Sequence, residues 1–358
     1  MDVTPCQPER ASEVIELLAG KDVATERRAE LAAELVKTYF ENPWTDPELT
    51  PLICTVDERV VGFLGITPRV MRYGDRTLRV AVSSNFTVAE SAPDKHRPFI
   101  AARMIKTMIN GPQDLSLADG ATDVSRRIWQ RCGGQIAPVM GLDWFHTARP
   151  ARGVWELARR GFQPSSFADS TAKLGAGMLD LVGAPLAKRL AKSNNATVAL
   201  DRDNVITAIN EDVAAPLKPE ARPDWLDWLL DRTSRLAVDG RVRGGIVERA
   251  DSAMAGWYIY ILSSDRVADV LQLDVTRGDP EDILGACIMD ARKAGAALIR
   301  GHARMTHLAA YRRHFCLLNS GRWFLAHSRE PDLLRPLMDG TAWVSMLDGE
   351  RWIGNFQT

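Results

Sequence analysis

Apolar residues recur at three- and four-residue intervals through ERASEVIELLAG (9–20), and the run stops at Gly20. This predicts a helix closed by a glycine. A second helical pattern fills ERRAELAAELVKTYFEN (26–42), where Asn42-Pro43 stops it. The pattern then turns to strands. LICTVDERVVGFLGI (52–66) reads as two strands around a turn at Asp57-Glu58-Arg59, and RVMRYGDRTLRVAVSSNFTVAE (69–90) as a turn at Gly74-Asp75 followed by a longer strand. FIAARMIKTMI (99–109) predicts a helix, and DLSLADGAT (114–122) a short strand and loop. TDVSRRIWQRCGG (122–134) predicts a helix capped by Thr122 or Asp123 and closed by Gly133-Gly134, and IAPVMGLDWFHTARP (136–150) a final strand. A meander of antiparallel strands ahead of βαβ elements indicates an α/β (α+β) fold, with a mixed, mainly antiparallel sheet flanked by helices.

Residues 151–195 are rich in Gly, Ala and Ser and read as a helical linker. An inter-domain helix is the plainer reading of this stretch, and an amphipathic helix on a membrane surface the other. From residue 196 the first half's order returns without sequence identity. A strand at VALDR (198–202) and helices at VITAINEDVAAPL (205–217) and RPDWLDWLLDR (222–232) precede paired strands at RGGIVERA and GWYIYILSS. The long strand RVADVLQLDV, the helix PEDILGACIMDARKAG, the strand ALIRGHAR, the helix HLAAYRRHF and the strand RWFLAHS follow, with a polar tail through LDGERW. The chain thus divides into domains at 1–150 and 196–358.

Composition narrows the classes. The chain has 358 residues and a net charge of −1 with both signs interleaved, which argues against a nucleic-acid partner. No apolar run approaches the length of a membrane span. Five scattered cysteines, with no metal-ligand spacing, read as reduced thiols of a cytoplasmic protein and predict no metal.

The loop after the long strand SSNFTVAE reads Pro93-Asp94-Lys95-His96-Arg97-Pro98-Phe99-Ile100-Ala101, which sets positive charge at a helix start. With the paired strands at VVGFLGI, this order resembles the GNAT (GCN5-related N-acetyltransferase) superfamily, and the second half resembles a degenerate copy. The resemblance implies acetyl-coenzyme A as acyl donor. Its pyrophosphate would lie on the backbone of Lys95, His96, Arg97, Pro98, Phe99, Ile100 and Ala101. Its pantetheine arm would lie along Phe86, Thr87 and Val88. The sequence departs from the family's P-x-x-R-x-x-G-x-G/A pattern at His96 and at Phe99, where a glycine is expected. The family's acid, a tyrosine before a Gly-Phe pair, is replaced by Trp129 in the first half and matched by Tyr311 in the second. Candidate bases are Glu90, Asp119, Asp123 and His146. The second half's loop, TRGDPEDILG, carries Asp279, Glu281 and Asp282, which suit a helix start but repel a pyrophosphate.

Further short motifs (ENPW at 41–44, SSNFTV, Gly133 to Pro138, WLDWLL, LDGERW) resemble a narrower group of tandem GNAT proteins associated with bacterial exopolysaccharide synthesis. That likeness implies transfer to an amino or hydroxyl group of a saccharide precursor or other small molecule. The alternatives are a non-catalytic acyl-coenzyme A-binding or interaction protein and an aminoacyltransferase of the FemABX type.

Overall fold

A computed structural model describes residues 1–20, 23–92, 95–148, 196–211, 215–237, 240–320, 322–347 and 349. The expected linker, 151–195, lies outside the described residues.

In chain order the elements begin with β1 (Asp2–Pro5), α1 (Ala11–Ala19), α2 (Thr25–Tyr39), β2 (Leu52–Val56), β3 (Arg59–Tyr73) and β4 (Arg76–Val88). Then come α3 (Arg97–Ile109), β5 (Leu115–Ala121), α4 (Asp123–Arg131), β6 (Gln135–Ile136), β7 (Leu142–Thr147), β8 (Ala196–Val198), α5 (Arg202–Glu211), β9 (Leu217–Pro219) and α6 (Pro223–Leu236). The series closes with β10 (Arg241–Glu248), β11 (Met254–Leu262), β12 (Val267–Val275), α7 (Pro280–Lys293), β13 (Leu298–His302), α8 (Leu308–Arg313), β14 (Leu317–Ser320), β15 (Trp323–His327) and α9 (Arg335–Asp339).

Local chemistry sets many of these boundaries. Gly20 ends α1 at φ 81°, a conformation L-residues avoid. Asn42 closes off α2 by donating to the Thr38 carbonyl (2.9 Å) while accepting the Trp44 amide (3.0 Å). Asp57 and Glu58 both take positive φ, the turn that matches strand twist in a tight hairpin. Thr122 caps α4 by accepting the Ser125 amide (3.3 Å).

The chain forms two compact units. The first comprises Met1–Gly141, Val213–Arg232 and Arg322–Thr358, and the second Leu142–Asp212 and Thr233–Gly321. The first unit's sheet runs β1-β2-β3-β4-β5-β15-β6, with β9 paired to β3. The second unit's sheet runs β14-β7-β13-β12-β11-β10-β8. Each sheet is therefore completed by a strand from the other half of the sequence: β15 pairs with β5 and β6, and β7 with β13 and β14. Both units thus draw on each side of the division expected near residue 150.

One face of the first sheet packs under α1 and α2 through Val14, Ile15, Leu35 and Phe63. Farther along, that face packs Val80, Val82, Leu115 and Leu117 against Phe324, Leu333 and Leu337. The opposite face packs Leu64 and Ile66 against Ile100, Met104 and Ile105 of α3, with Trp129 of α4.

Several elements differ from expectation. The stretch 136–150 is not one strand: a 3-10 turn at Pro138–Gly141 separates β6 from β7. Gly141 passes so close to its neighbour that a Cβ there would stand 2.6 Å from the Arg322 carbonyl oxygen. The tail after residue 328 is not a polar appendage, since Leu333, Leu334, Leu337, Trp343 and Leu347 are buried. Among the described residues no helix is long and apolar enough to cross a membrane, and no group of three His, Cys, Asp or Glu side chains is arranged to hold a metal.

Candidate active site

The parallel pair at the centre of the first sheet comes apart. β4 and β5 are joined only at Val80–Leu115, Ala81–Ser116 and Val82–Leu117, yet β4 runs on to Val88 and β5 to Ala121. Beyond Val82 the β5-facing edge of β4 has no ladder partner on β5, which leaves a V-shaped gap with backbone groups along one side. Phe86, Thr87 and Val88 lie half-buried on that diverging stretch. A bulge adds one residue to β4 opposite Phe63–Gly65, with Asn85 at φ 49°. The bulge is pinned from the α2 side. The Tyr39 hydroxyl lies 2.7 Å from Ser84 Oγ and accepts the Asn85 side-chain amide at 2.8 Å. Gly65 makes room for this, because a Cβ there would meet the Tyr39 hydroxyl at 2.2 Å.

β4 leads to α3, whose N-cap is His96 with no side-chain cap, and whose first turn carries no acidic residue. The Ile100 amide makes the first helical bond, to the His96 carbonyl (3.0 Å). The first turn ahead of that bond carries the amides of Arg97 and Phe99, because Pro98 has no N–H. Lys95, His96 and Pro98 are exposed. Arg97 is half-buried and its Nε donates to the Ala92 carbonyl (3.1 Å). Phe99 is 70% exposed, so its ring turns outward. Ile100 and Ala101 are buried. Pro93 and Asp94 lie outside the described residues.

The second sheet opens in the same way: β12 and β13 pair from Val267–Leu298 to Val270–Gly301, and β12 continues to Val275. Here the gap is laced. Arg304 Nη1 bonds Asp274 Oδ1, and Asp274 is 1% exposed. The following helix is closed at its start, since Asp279 caps α7 by accepting the Glu281 amide (2.9 Å), with Glu281 and Asp282 in the first turn.

No family model matches the chain, and no curated protein matches it in sequence. Solved structures do match in fold. A conserved protein of Enterococcus faecalis V583, described as a probable N-acyltransferase, aligns over 91% of this chain and 72% of its own at TM-score 0.58 and 10% identity. A GCN5-related N-acetyltransferase from Anabaena variabilis aligns over 92% and 73%, at TM-score 0.58 and 10% identity. Another from Kribbella flavida aligns over 95% and 73%, at 0.53 and 12%. The chain carries two GNAT-like folds.

The GNAT-like architecture gathers some of the expected site residues and separates others. Phe86 to Val88, Glu90 and Lys95 to Ala101 cluster around the β4–α3 connection of the first unit. Glu90 is exposed in the turn after β4. Asp119 lies on β5 and lines a small pocket on the sheet face away from α3 and α4. Asp123 accepts the Trp323 indole N–H (2.8 Å) at the start of α4.

His146 was expected beside the first unit's site, but β7 carries it into the second sheet. There its Nδ1 donates to the His314 carbonyl (2.9 Å), and burial holds its pKa down to about 4. Tyr311 also belongs to the second unit. It is 2% exposed and stacked on Trp144, and its hydroxyl accepts the Arg304 amide (3.1 Å). Burial pushes its pKa up. Trp129, which the sequence resemblance set at a tyrosine position, is buried and donates to the Ala326 carbonyl (3.2 Å). Sequence reasoning missed Arg69, whose signal was a cation inside the apolar run of β3. It also missed Trp343 and Ser345, which the tail brings to the Asp119 pocket.

Proposed function

We propose that the first unit transfers an acyl group from acyl-coenzyme A to an amino or hydroxyl group of a small acceptor. The observation that carries this reading is the gap between β4 and β5 opening beside an uncapped, cation-bearing start of α3. The residues fit the donor. The backbone edge at Phe86 to Val88 suits an extended amide-bearing arm, and the Arg97 and Phe99 amides with Lys95 and His96 suit a diphosphate. Pro98 removes one amide, and outward-turned Phe99 leaves the helix start clear. Bound acyl-coenzyme A supplies an activated thioester carbonyl. Asp119 takes the proton from the acceptor. Acetyl as the acyl group, a saccharide precursor as acceptor and a cytoplasmic setting are the finer parts of the proposal, and they rest on the sequence resemblance.

A second reading, an acyl-coenzyme A-binding protein without catalysis, is favoured by Trp129 standing in place of the family's acid.

Calorimetric titration with acetyl-coenzyme A tests the proposal. Saturable binding that weakens about tenfold in Lys95→Ala/Arg97→Ala supports it, and an absence of heat at millimolar ligand removes it. Asp119→Asn should lower kcat by about 10²–10⁴ with donor affinity intact. Donor binding without turnover under any acceptor would leave the second reading standing.

A further inference from the structure

A cleft of about 320 Å³ lies in the second unit, beside the start of β12 and at the closed end of the β12–β13 pair, away from the gap beyond Val270. That volume falls within the range of small-ligand sites, about 300–1,000 Å³. Its walls include Arg241 at the start of β10, Ser263, Ser264 and Arg266 of the β11–β12 turn, and Gly295 just past α7. Strand pairing brings the two arginines to one place, since Arg241 stands opposite Leu262, the last residue before the turn.

The unusual wall is Arg266, whose φ is 63°. The turn is tied on both sides. The Arg266 amide donates to the Ser263 carbonyl (2.9 Å), and the Val267 amide donates to Ser263 Oγ (3.3 Å). The Arg266 carbonyl accepts the Ala297 amide (2.7 Å), which fixes the turn to the connection between α7 and β13. Glycine would make all of these backbone bonds and take this φ without strain, whereas a residue with a Cβ takes it at a cost. The backbone therefore does not account for an arginine here. Nor do its neighbours: among the described residues neither the Arg266 nor the Arg241 guanidinium has a hydrogen-bond or ion-pair partner, Asp265 of the same turn included. Two other arginines of this sheet are paired, Arg243 with Asp290 (2.9 Å) and Arg300 with Asp269. Arg292 and Lys293 already complement the carbonyl end of α7, so that helix end does not call for two more cations.

We infer that this cleft binds a small phosphorylated molecule, its phosphate held between Arg241 and Arg266. An arginine fork matches a phosphate's oxygens with parallel hydrogen bonds. Two guanidinium charges balance the charge of about −1.5 to −2 that a phosphate monoester carries at pH 7. The exposed Ser264 hydroxyl on the same wall is a further donor. A bare phosphate would leave most of the cleft empty, so the ligand carries an organic part. The inference stands apart from the acyltransfer reading, which concerns the first unit.

Calorimetric titration of the full chain at low salt is the test. The probes are glucose 6-phosphate beside glucose, AMP beside adenosine, and inorganic phosphate as the bare anion. The expected result is saturable binding of at least one ester with Kd below about 1 mM, and about tenfold or more tighter than its unphosphorylated partner and than inorganic phosphate. Arg241→Gln and Arg266→Gly should each weaken that binding about tenfold or more. Arg266→Gly should melt at or above the wild-type temperature, since glycine suits the turn, so its lost affinity would not report lost fold. Lys95→Ala/Arg97→Ala should leave ester binding unchanged, which separates this cleft from the start of α3. Four results overturn the inference: no ester binding at about 10 mM, no advantage of an ester over its partner or over inorganic phosphate, affinity unchanged in both arginine variants, or affinity lost in the Lys95/Arg97 variant instead. Because the wild-type series needs no substitution, an unfolded variant does not rescue the idea.

Discussion

The starts of α3 and α7 occupy the same place in their respective folds and carry opposite electrostatics. α3 begins with Lys95, His96 and Arg97 and has no side-chain cap, whereas α7 begins with Asp279 on its own amide and two further carboxylates. The strands before them differ in the same sense. Seven residues beyond Val80 on β4 lies Thr87, and six beyond Leu115 on β5 lies Ala121. The same counts from Val267 and Leu298 reach Asp274 and Arg304, which form a buried ion pair. One fold thus has small, uncharged side chains at these two positions, while its counterpart has a bonded charge pair. A helix start whose own carboxylate occupies its amides offers less to an anion, and that difference is set by local hydrogen bonding within the same kind of fold.

The contrast can be broken most forcefully at Arg304. Arg304→Ala removes the guanidinium from a carboxylate that is 1% exposed and should cost about 3–5 kcal/mol, measured by denaturant unfolding. Copying the first unit's residues with Asp274→Thr/Arg304→Ala should cost less than the single change, because no buried charge then remains there. Next in size is acid. Burial depresses His146 to about 4 and His307 to about 3, from an ordinary 6.5. The unfolded chain therefore takes up protons first. The second unit keeps its full stability above about pH 6.5 and loses about 1.4 kcal/mol per pH unit for each histidine as pH falls toward 4. Melting temperatures at pH 7.5, 6 and 5 check the slope. Asp279→Ala should cost about 1 kcal/mol by removing the cap and leave acetyl-coenzyme A affinity untouched, whereas the Lys95/Arg97 changes do the reverse. Smallest is Phe99→Ala. The ring is 70% exposed, so stability should move by under about 0.5 kcal/mol, and a larger loss in thermal melting would mean that the ring packs in solution.

What was legible in the sequence was the chemistry that acts within a few residues. Gly20, Asp57-Glu58 and the Thr122 cap each mark a boundary because their own backbone needs decide it. The acid-capped start of α7 was legible for the same reason. Partner choice was not. Hydrophobic spacing shows that 142–147 and 323–327 want to be strands but says nothing about which sheet receives them, and β7 with His146 joins the second unit's sheet. Trp343 and Leu347 looked like parts of a polar tail because charged neighbours break their period, though both are buried. Arg69 and Asp274 share one difficulty: a buried charge on a strand declares itself only when its environment is known.

The interchange of β7 and β15 also bears on how the chain matures. Leu117 pairs with Ala326, a residue more than two hundred positions later. At ~5–20 residues per second, a ribosome needs about 10–40 s between making one and the other. Throughout that interval the edge of β5 that receives β15 waits for its partner, and the nascent polypeptide is exposed to mispairing until Ala326 has been made.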